Sequence, residues 1–238
     1  MRVVVSIGGS VLAPDLDAER VEAHAAAIET LSREGCELGV VVGGGGVARE
    51  YISTARELGS NEVQLDQIGI DVTRVNARLL IAALGDEVDP TPARDYDESR
   101  DAMRRGDITV MGGVTPGQTT DAVAAALAEY VNADLLVYAT SVDGVFSADP
   151  SAVEDAAKYD ELSPTELVDV IAPMSRDAGA SAPVDLLATK LIERAGMRTI
   201  VIDGTDPERV VSAVLRGEHS GTDIVPAGSG EPTYWAQR

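Results

Sequence analysis

Glycine clusters follow three of the short apolar runs in this chain. They are Gly8-Gly9-Ser10 after VVVSI, Gly43 to Gly46 after VVV, and Gly112-Gly113 after ITVM. Bare backbone at the end of a strand lets N–H groups approach an anion closely, and the helix that follows adds its positive N-terminal end. One such cluster also fits an ordinary tight turn between a strand and a helix. Three clusters together favour a phosphate-rich ligand.

The elements that must position these clusters are β-branched runs that alternate with helical patterns. Apolar runs predict buried strands at 3–7, 39–42, 108–111, 135–139 and 199–202. Apolar positions at three- and four-residue spacing predict helices at 17–34, 47–58, 68–83, 120–131, 184–195 and 207–215. This alternation predicts an α/β fold with a mostly parallel central sheet and helices on both faces. Ligands of such sheets bind beyond the carboxyl ends of the strands, where all three clusters fall.

The length allows one large domain or two small ones, and a single domain over residues 1–226 is predicted because no boundary or repeat separates the halves. The chain has 238 residues, and 45% of them are hydrophobic, which is enough to build a core. Segment 227–238 combines glycine, proline and polar residues and is predicted to be a flexible tail. No apolar run approaches the roughly 20 residues of a membrane span, and no basic leader precedes a cleavage site. We therefore expect a cytoplasmic protein.

The charge of the chain restricts its partners. It has 40 acidic against 19 basic residues, a formal net charge of −21. Such a surface repels nucleic acid and anionic membranes, so neither is an expected partner. Only two of the basic residues are lysines, and this composition suits a halophilic protein in molar salt, where screening removes the self-repulsion. One cysteine and two histidines leave little material for a Cys/His metal site.

Two other kinds of phosphate site are less consistent with the sequence. Gly43-x-Gly45-x-x-Ala48, with Asp66 about twenty residues on, formally matches a dinucleotide-binding fingerprint. The fingerprint acid should end a second apolar strand, however, whereas Asp66 lies in a stretch that continues into a helix. This interpretation also leaves the other two glycine clusters unexplained. No Gly-x-x-x-x-Gly-Lys-Ser/Thr motif occurs, which excludes a P-loop kinase.

Five segments, taken in order, resemble the archaeal type of uridylate (UMP) kinase within the amino acid kinase superfamily. They are IGGSV, VVGGGGVAREYI, DQIGIDVTRVNARLLIAAL, the run from VMGGVTPGQTTD to SVDGVFSADP, and VDLLATKLIERAG, and the resemblance extends from Val3 to about Pro226. It implies a three-layer αβα sandwich, the amino acid kinase fold. It also implies transfer of the γ-phosphoryl group of Mg-ATP to UMP in pyrimidine nucleotide (CTP) biosynthesis, and assembly as a homohexamer.

The resemblance also implies a role for individual residues. ATP would be bound by the first two glycine loops and by the loop after the fourth predicted strand, through Gly8, Gly9, Ser10, Gly45, Arg49, Thr140, Phe146 and Asp149. Phe146 stands where the family usually has tyrosine. UMP would be bound by Gly44, by Asp66 through ribose hydroxyls, and by the loop Val114, Thr115, Pro116, Gly117, Gln118, Thr119 and Thr120. Taken alone, TPGQTTD is also an ordinary helix cap at Thr120.

Bringing two polyanions together in a protein of net charge −21 requires local cations. Many superfamily members have a lysine two residues before the first glycine pair, but this chain has Ser6 there. Lys190 in VDLLATK is the nearest replacement, so Lys190 and Arg49 are the predicted catalytic residues, together with Mg²⁺. Arg74 and Arg78, four apart on one helical face, would either bind the UMP phosphate or pair with surface acids. The groups that hold Mg²⁺ are not identified by the sequence.

Related activities on the same fold fit less well. An isopentenyl phosphate kinase is expected to carry a histidine just after the glycine-rich loop, where this chain reads GVARE. An N-acetylglutamate kinase or aspartokinase needs a site for an amino-acid carboxylate, and TPGQTTD does not resemble theirs. A non-enzymatic nucleotide sensor on the same fold is a further alternative, which a turnover assay decides.

Overall fold

Strands of mostly β-branched residues form the centre of the protein, for which a computed structural model describes residues 1–174 and 183–228. Within these residues the strands are β1 (Arg2–Ile7), β2 (Glu37–Val42), β3 (Thr109–Met111), β4 (Leu135–Thr140), β5 (Val145–Phe146), β6 (Lys158–Tyr159), β7 (Glu161–Leu162), β8 (Thr199–Asp203) and β9 (Thr222–Ile224). Seven of these described strands form one sheet in the order β3-β2-β1-β4-β8-β9-β7, and β5 pairs with β6 in a separate hairpin.

The sheet is parallel from β3 to β8, and β9 then runs antiparallel to β8. In the central register Ser6 of β1 lies between Val41 of β2 and Tyr138 of β4. The carboxyl ends of β1, β2, β3 and β4 therefore meet at one edge. All three glycine clusters leave the sheet at this edge, which is what the sequence predicts.

Helices cover both faces of the sheet. They are α1 (Gly9–Leu12), α2 (Ala18–Arg33), α3 (Gly45–Glu57), α4 (Glu62–Ala83), α5 (Tyr96–Arg105), α6 (Thr120–Val131), α7 (Pro164–Met174), α8 (Leu186–Ala195) and α9 (Pro207–Arg216), with a 3-10 turn at Pro14–Leu16. None of the described helices is long and apolar enough to cross a membrane.

Alternation along the strands divides the buried apolar residues into two layers. Val3, Val5 and Ile7 of β1 pack with residues of α2 and α9 on one face. Val4 packs with residues of α6 and α8 on the other. The result is a three-layer αβα sandwich with a mostly parallel sheet, which confirms the predicted fold class.

Local capping explains where several helices begin. Asp206 accepts a hydrogen bond from Glu208 N at 3.1 Å and precedes Pro207, which takes the first helical position of α9. Asn61 and Gln64 form a reciprocal capping box at 3.1 and 3.0 Å, so α4 begins at Glu62, six residues before the predicted start. Asp66 consequently lies within a helix and does not end a strand, which removes the basis for a dinucleotide fingerprint.

Several elements were not predicted from the sequence. They are α1, α5, α7, the 3-10 turn at Pro14–Leu16 and the short strands β5, β6, β7 and β9. The predicted cap at Thr120 was wrong by one residue, because Thr119 is the N-cap of α6 and accepts from Ala122 N at 3.1 Å. Of the predicted tail, residues 229–238 lie outside the described residues.

His24 of α2 predicts a measurable pH dependence of stability. Its side chain is 1% exposed and lies 3.3 Å from Val11 O, and burial lowers its pKa to about 4. Because the unfolded chain binds this proton near pH 6.5 and the folded chain does not, stability falls as pH drops from about 6.5 to 4. We expect His24→Gln to remove about 3 kcal/mol of this loss. Thermal melts of the wild-type protein and of His24→Gln from pH 7.5 to 4 measure this difference. If stability falls with pH in parallel for the two proteins, the prediction is contradicted.

Candidate active site

The first two glycine loops pack backbone against backbone at the carboxyl edge of the sheet. An added Cβ on Gly9 would lie 2.3 Å from Gly45 N and 2.5 Å from Gly43 O. Gly45 also has φ +65°, a conformation that side chains disfavour. Glycine is needed at these positions because any side chain would force the two loops apart. The loops leave backbone N–H groups beside the start of α3, where an anion can bind.

Arg49 joins the two loops through a side chain. Its Nη2 donates to Ser10 Oγ at 3.3 Å, and both residues are exposed. The structure thus brings together Gly9, Ser10, Gly45 and Arg49, four residues that the sequence predicts for the ATP phosphates. A guanidinium in this position can complement phosphate oxygens.

Two buried polar residues of α4 hold the glycine clusters, and sequence reasoning missed both. Asn76 Nδ2 donates to Gly43 O at 2.9 Å and to Gly44 O at 3.3 Å. Thr73 Oγ1 accepts from Gly113 N at 2.7 Å and donates to Ile70 O at 2.6 Å. The sequence feature that indicates such a role is a threonine and an asparagine on the otherwise apolar, buried face of a long helix. Buried polar groups need hydrogen-bond partners, so these two side chains are candidates for holding neighbouring backbone.

Asp66 contacts the 114–120 loop, and both are residues that the resemblance assigns to UMP. Asp66 Oδ2 accepts a hydrogen bond from Gly117 N at 2.8 Å. The start of α4 therefore supports the loop, and Gly44 lies on the same side of the sheet, where an added Cβ would lie 3.5 Å from Thr73 Cγ2. Helix α4 thus contacts the 114–120 loop through Asp66 and lies next to Gly44 through Thr73.

Two helix caps converge next to this loop. Thr119 donates from its hydroxyl to Asp185 Oδ2, and Asp185 is the N-cap of α8, accepting from Ala188 N at 2.9 Å. The neighbouring Asp121 has its pKa raised to about 7, first by burial and then by the negative charge of Asp185. Tyr138 hydroxyl donates to Asp121 O at 2.8 Å. Two carboxylates thus approach each other at the active-site edge.

A cavity of about 320 Å³ lies beyond the end of β4. Its lining includes Thr140, Phe146 and Asp149, the three residues predicted to contact adenine and ribose. Thr140 Oγ1 donates to Val142 O at 2.9 Å, which keeps this turn closed. Asp149 accepts from Ser151 N at 2.9 Å and from Ser151 Oγ at 2.6 Å. The cavity is at the lower end of the size range of small-molecule sites.

Comparison with known proteins agrees with this geometry. The sequence profile of the Amino acid kinase family matches residues 1–203. The uridylate kinase of Haloquadratum walsbyi is 76% identical over 226 residues, covering 95% of this chain and 94% of that protein. The chain belongs to the amino acid kinase family, among its uridylate kinases. The uridylate kinase of Halobacterium salinarum is 68% identical, covering 99% of this chain and 98% of that protein. The crystal structure of uridylate kinase from Archaeoglobus fulgidus superposes with a TM-score of 0.86 at 45% identity, covering 94% of this chain and all of that one.

The lysine predicted to be catalytic makes no contact with the glycine loops among the residues that the structure describes. Lys190 Nζ pairs with Glu193 Oε2 at 3.0 Å, and its side chain is 54% exposed. Ser6, which replaces the lysine common in the superfamily, is buried between β2 and β4. The structure therefore brings together Arg49 and Ser10 but leaves Lys190 on the outer side of α8.

The two arginines of α4 differ in their surroundings. Arg74 Nε is buried and has no hydrogen-bond partner in the part of the chain that the structure describes. Arg78 is exposed and lines a separate surface cavity with Asp89 and Arg94. Neither arginine forms an ion pair with another described residue, and both predicted roles stay predictions.

The carboxylates at the active-site edge are the candidate ligands for Mg²⁺. No group of three or more Asp, Glu, His or Cys side chains converges within residues 1–174 and 183–228. A full protein cage is not required, since Mg²⁺ beside a nucleotide is held by one or two carboxylates, substrate phosphates and water. Asp121 and Asp185 are the candidates, because burial and then the negative charge of Asp185 raise the pKa of Asp121, and a bound cation would favour the ionised carboxylate.

Proposed function

We propose that this protein transfers the γ-phosphoryl group of Mg-ATP to UMP, giving UDP and ADP. The observation that carries the proposal is the Asp66–Gly117 contact beside the paired glycine loops, in a chain 76% identical to a uridylate kinase. Fold alone does not fix the substrate. The contact holds Asp66 beside the 114–120 loop, and we propose that Asp66 binds ribose there, because a carboxylate offers only acceptors to a pair of O–H donors.

The chemistry proposed for the site is positioning and charge stabilisation, since phosphoryl transfer leaves little covalent work for the protein. N–H groups of Gly9, Ser10 and Gly45 bind the ATP phosphates, and Arg49 stabilises charge that develops on the transferred group. Thr140, Phe146 and Asp149 hold adenine and ribose. Mg²⁺, when bound, neutralises phosphate charge, and Asp121 and Asp185 are the carboxylates proposed to hold it. Lys190 stays a predicted catalytic residue.

The acceptor side is proposed to use Gly44, Asp66 and the loop from Val114 to Thr120. Gly44 faces the UMP phosphate, and Asp66 binds the ribose. The backbone amides of the loop, with the hydroxyls of Thr119 and Thr120, can both donate to and accept from the edge of uracil.

An Asp66→Ala variant tests the acceptor site. We expect KM for UMP to rise at least about tenfold with KM for ATP within about twofold, because a hydrogen bond to a charged group contributes about 1.5–3 kcal/mol. Asp71→Ala is the matched control, since Asp71 is an exposed carboxylate on the same helix that accepts from Gln67 at 3.2 Å. Equal effects of the two variants on KM for UMP contradict a ribose contact.

A coupled ADP-release assay in molar KCl tests the reaction itself. The wild-type protein is given Mg-ATP with UMP, CMP, dUMP, isopentenyl phosphate, N-acetylglutamate or aspartate. We expect UMP to be the best acceptor by a wide margin. Equal ADP release with every acceptor, or nucleotide binding without any turnover, contradicts the kinase proposal and favours a nucleotide sensor.

We also propose a homohexamer and adaptation to molar salt. Large apolar side chains are exposed on α3, at its end and on α4: Tyr51 (60%), Leu58 (82%), Val63 (64%), Val75 (56%) and Leu79 (38%). Such a surface supports contact between subunits. We expect sedimentation in molar KCl to give six times the 24.8 kDa chain mass, and a monomer at that salt contradicts the hexamer.

Relatives from Haloquadratum walsbyi and Halobacterium salinarum support the proposed adaptation to molar salt.

We further propose that residues 1–226 form a single domain and that the protein is cytoplasmic. The parallel sheet uses strands from Arg2 to Asp203, and β9 adds residues up to Ile224 to the same sheet. Free ATP and UMP are cytoplasmic nucleotides, which supports the location.

A further inference from the structure

We propose that Lys158 is a positioning residue for nucleotide binding, which fixes segment 140–146 through Asp143 and Ser220. The inference rests on the proposed function, because it assigns ATP to the cavity beyond β4. Lys158 is one of only two lysines in the chain, and it lies directly opposite Phe146 in the β5–β6 hairpin. Lys158 contacts Asp143 and Ser220, and Asp143 stands between Val142 and Gly144, which line the cavity.

The ammonium group of Lys158 connects two separate parts of the chain. It lies 3.4 Å from Asp143 Oδ2 and donates to the carbonyl oxygen of Ser220. Ser220 Oγ in turn donates to Asp143 Oδ1 at 2.9 Å. One carboxylate oxygen of Asp143 therefore contacts Lys158 of the hairpin, and the other contacts Ser220, which precedes β9. These three residues form a closed set of contacts.

A neighbouring threonine secures the same segment from the other side. Thr222 Oγ1 accepts from Val145 N at 2.8 Å and donates to Tyr159 O at 2.6 Å. Gly144 has φ +115°, and an added Cβ there would lie 2.6 Å from Thr222 Oγ1. The turn at Asp143-Gly144 is consequently held against β9, and Lys158 supplies the one cation in this set of contacts.

The electrostatics of Asp143 support a structural cation. Burial acts to raise the pKa of its carboxyl, but the Ser220 hydroxyl and the Lys158 ammonium outweigh burial and hold the pKa below its ordinary value. Removing Lys158 leaves the partly buried Asp143 carboxylate with only neutral partners, the Ser220 hydroxyl and the backbone of Asp203, among the contacts described for it. We expect the 140–146 turn to loosen as Asp143 moves toward water.

Loosening this turn affects one substrate only. Ser141, Val142, Gly144 and Phe146 line the cavity proposed for adenine, and the turn carries all four. Asp66 and the 114–120 loop make none of these contacts. A positioning role therefore predicts weaker nucleotide binding with UMP binding unchanged, whereas a general loss of stability affects both.

Lys158→Met tests the inference in molar KCl. Calorimetric titration with the magnesium complex of the non-hydrolysable analogue AMP-PNP is expected to give a Kd raised at least about tenfold, with the Kd for UMP within about twofold. In the ADP-release assay KM for ATP rises by a similar factor while kcat changes less than threefold. Lys158→Arg is expected to restore analogue binding to within about threefold, because it keeps the charge.

Arg216→Met is the matched control. It removes an equal charge from an exposed ion pair with Glu218 at 2.9 Å, close to Ser220 in sequence, and should leave both Kd values unchanged. An unchanged Kd for the analogue in Lys158→Met overturns the inference, as does an equal loss for UMP. If Lys158→Met does not fold, Ser220→Ala deletes only the hydroxyl bond to Asp143, and unchanged analogue binding there overturns the inference too. Absence of turnover in the wild-type protein contradicts the kinase proposal alone, since the binding measurements stand without it.

Discussion

A Gly9→Ala substitution is expected to lower kcat/KM for phosphoryl transfer at least about 100-fold, because a displacement of about 1 Å in a catalytic site has effects of this size. The added methyl group would lie 2.3 Å from Gly45 N, 2.5 Å from Gly43 O and 2.5 Å from Gly44 C. All three are backbone atoms, so no side chain can turn away to make room. The two glycine loops have to separate, and the N–H groups that bind phosphate separate with them.

Gly46→Ala is the matched control for this prediction. Gly46 belongs to the same run of four glycines, but an added Cβ there has no neighbour within 4 Å among the described residues. The substitution also keeps the N–H group. We expect its kcat/KM to stay within about twofold of the wild type. ADP release with ATP and UMP varied in turn measures both variants, and activity of Gly9→Ala within tenfold of the wild type contradicts the close packing of the loops.

Arg49→Met is expected to lower kcat at least about 100-fold, the effect of losing one preorganised charge contact at the reacting centre. Arg49 contacts Ser10 at 3.3 Å and is exposed beside the phosphate loops. Arg49→Lys should recover only part of the rate, because an ammonium keeps the charge but loses the planar fork. Arg56→Met is the control on the same helix, where the guanidinium forms an exposed ion pair with Glu62 at 3.4 Å.

Lys190→Met measured in the same assay determines whether the second predicted cation acts in catalysis. The sequence predicts a loss of at least about 100-fold in kcat with little change in UMP affinity. To act, the Lys190 ammonium has to leave its ion pair with Glu193. Glu193→Gln separates the two effects, because it breaks the ion pair and keeps the lysine. Near-normal kcat in Lys190→Met removes Lys190 from the catalytic set and leaves Arg49, the backbone amides and Mg²⁺.

The sequence predicts the central sheet well because its strands are almost wholly buried. Each residue of β1 from Val3 to Ile7 is at most 3% exposed, so the run is apolar except for Ser6. Helix α6 has the predicted bounds, since its apolar positions are dense and uninterrupted. By contrast α5 has the sequence YDESRDAMRR, and its few buried positions give no clear periodicity. β9 and β7 have three and two residues, which is too short for alternation to be recognised.

The site was predictable where a motif is contiguous and not where partners are distant in sequence. Gly9, Gly45 and Arg49 belong to short glycine-rich motifs at strand ends. Asn76 and Thr73 act through hydrogen bonds to residues at least 32 positions away, and periodicity gives no information on such pairs. The ion pair of Lys190 with Glu193 is local, three residues apart on one helix, but the rotamer that forms it is not specified by the sequence.

The glycine turn at the start of α3 has a consequence for how the two nucleotides influence each other. Gly44, proposed for UMP, and Gly45, proposed for ATP, are successive residues, so a single peptide unit belongs to both sites. When one nucleotide binds and moves that peptide, the other nucleotide fits its own site differently. The two sites are then linked by a coupling free energy. Such coupling is reciprocal by thermodynamic necessity. The factor by which UMP changes the Kd of the ATP analogue must equal the factor by which the analogue changes the Kd of UMP.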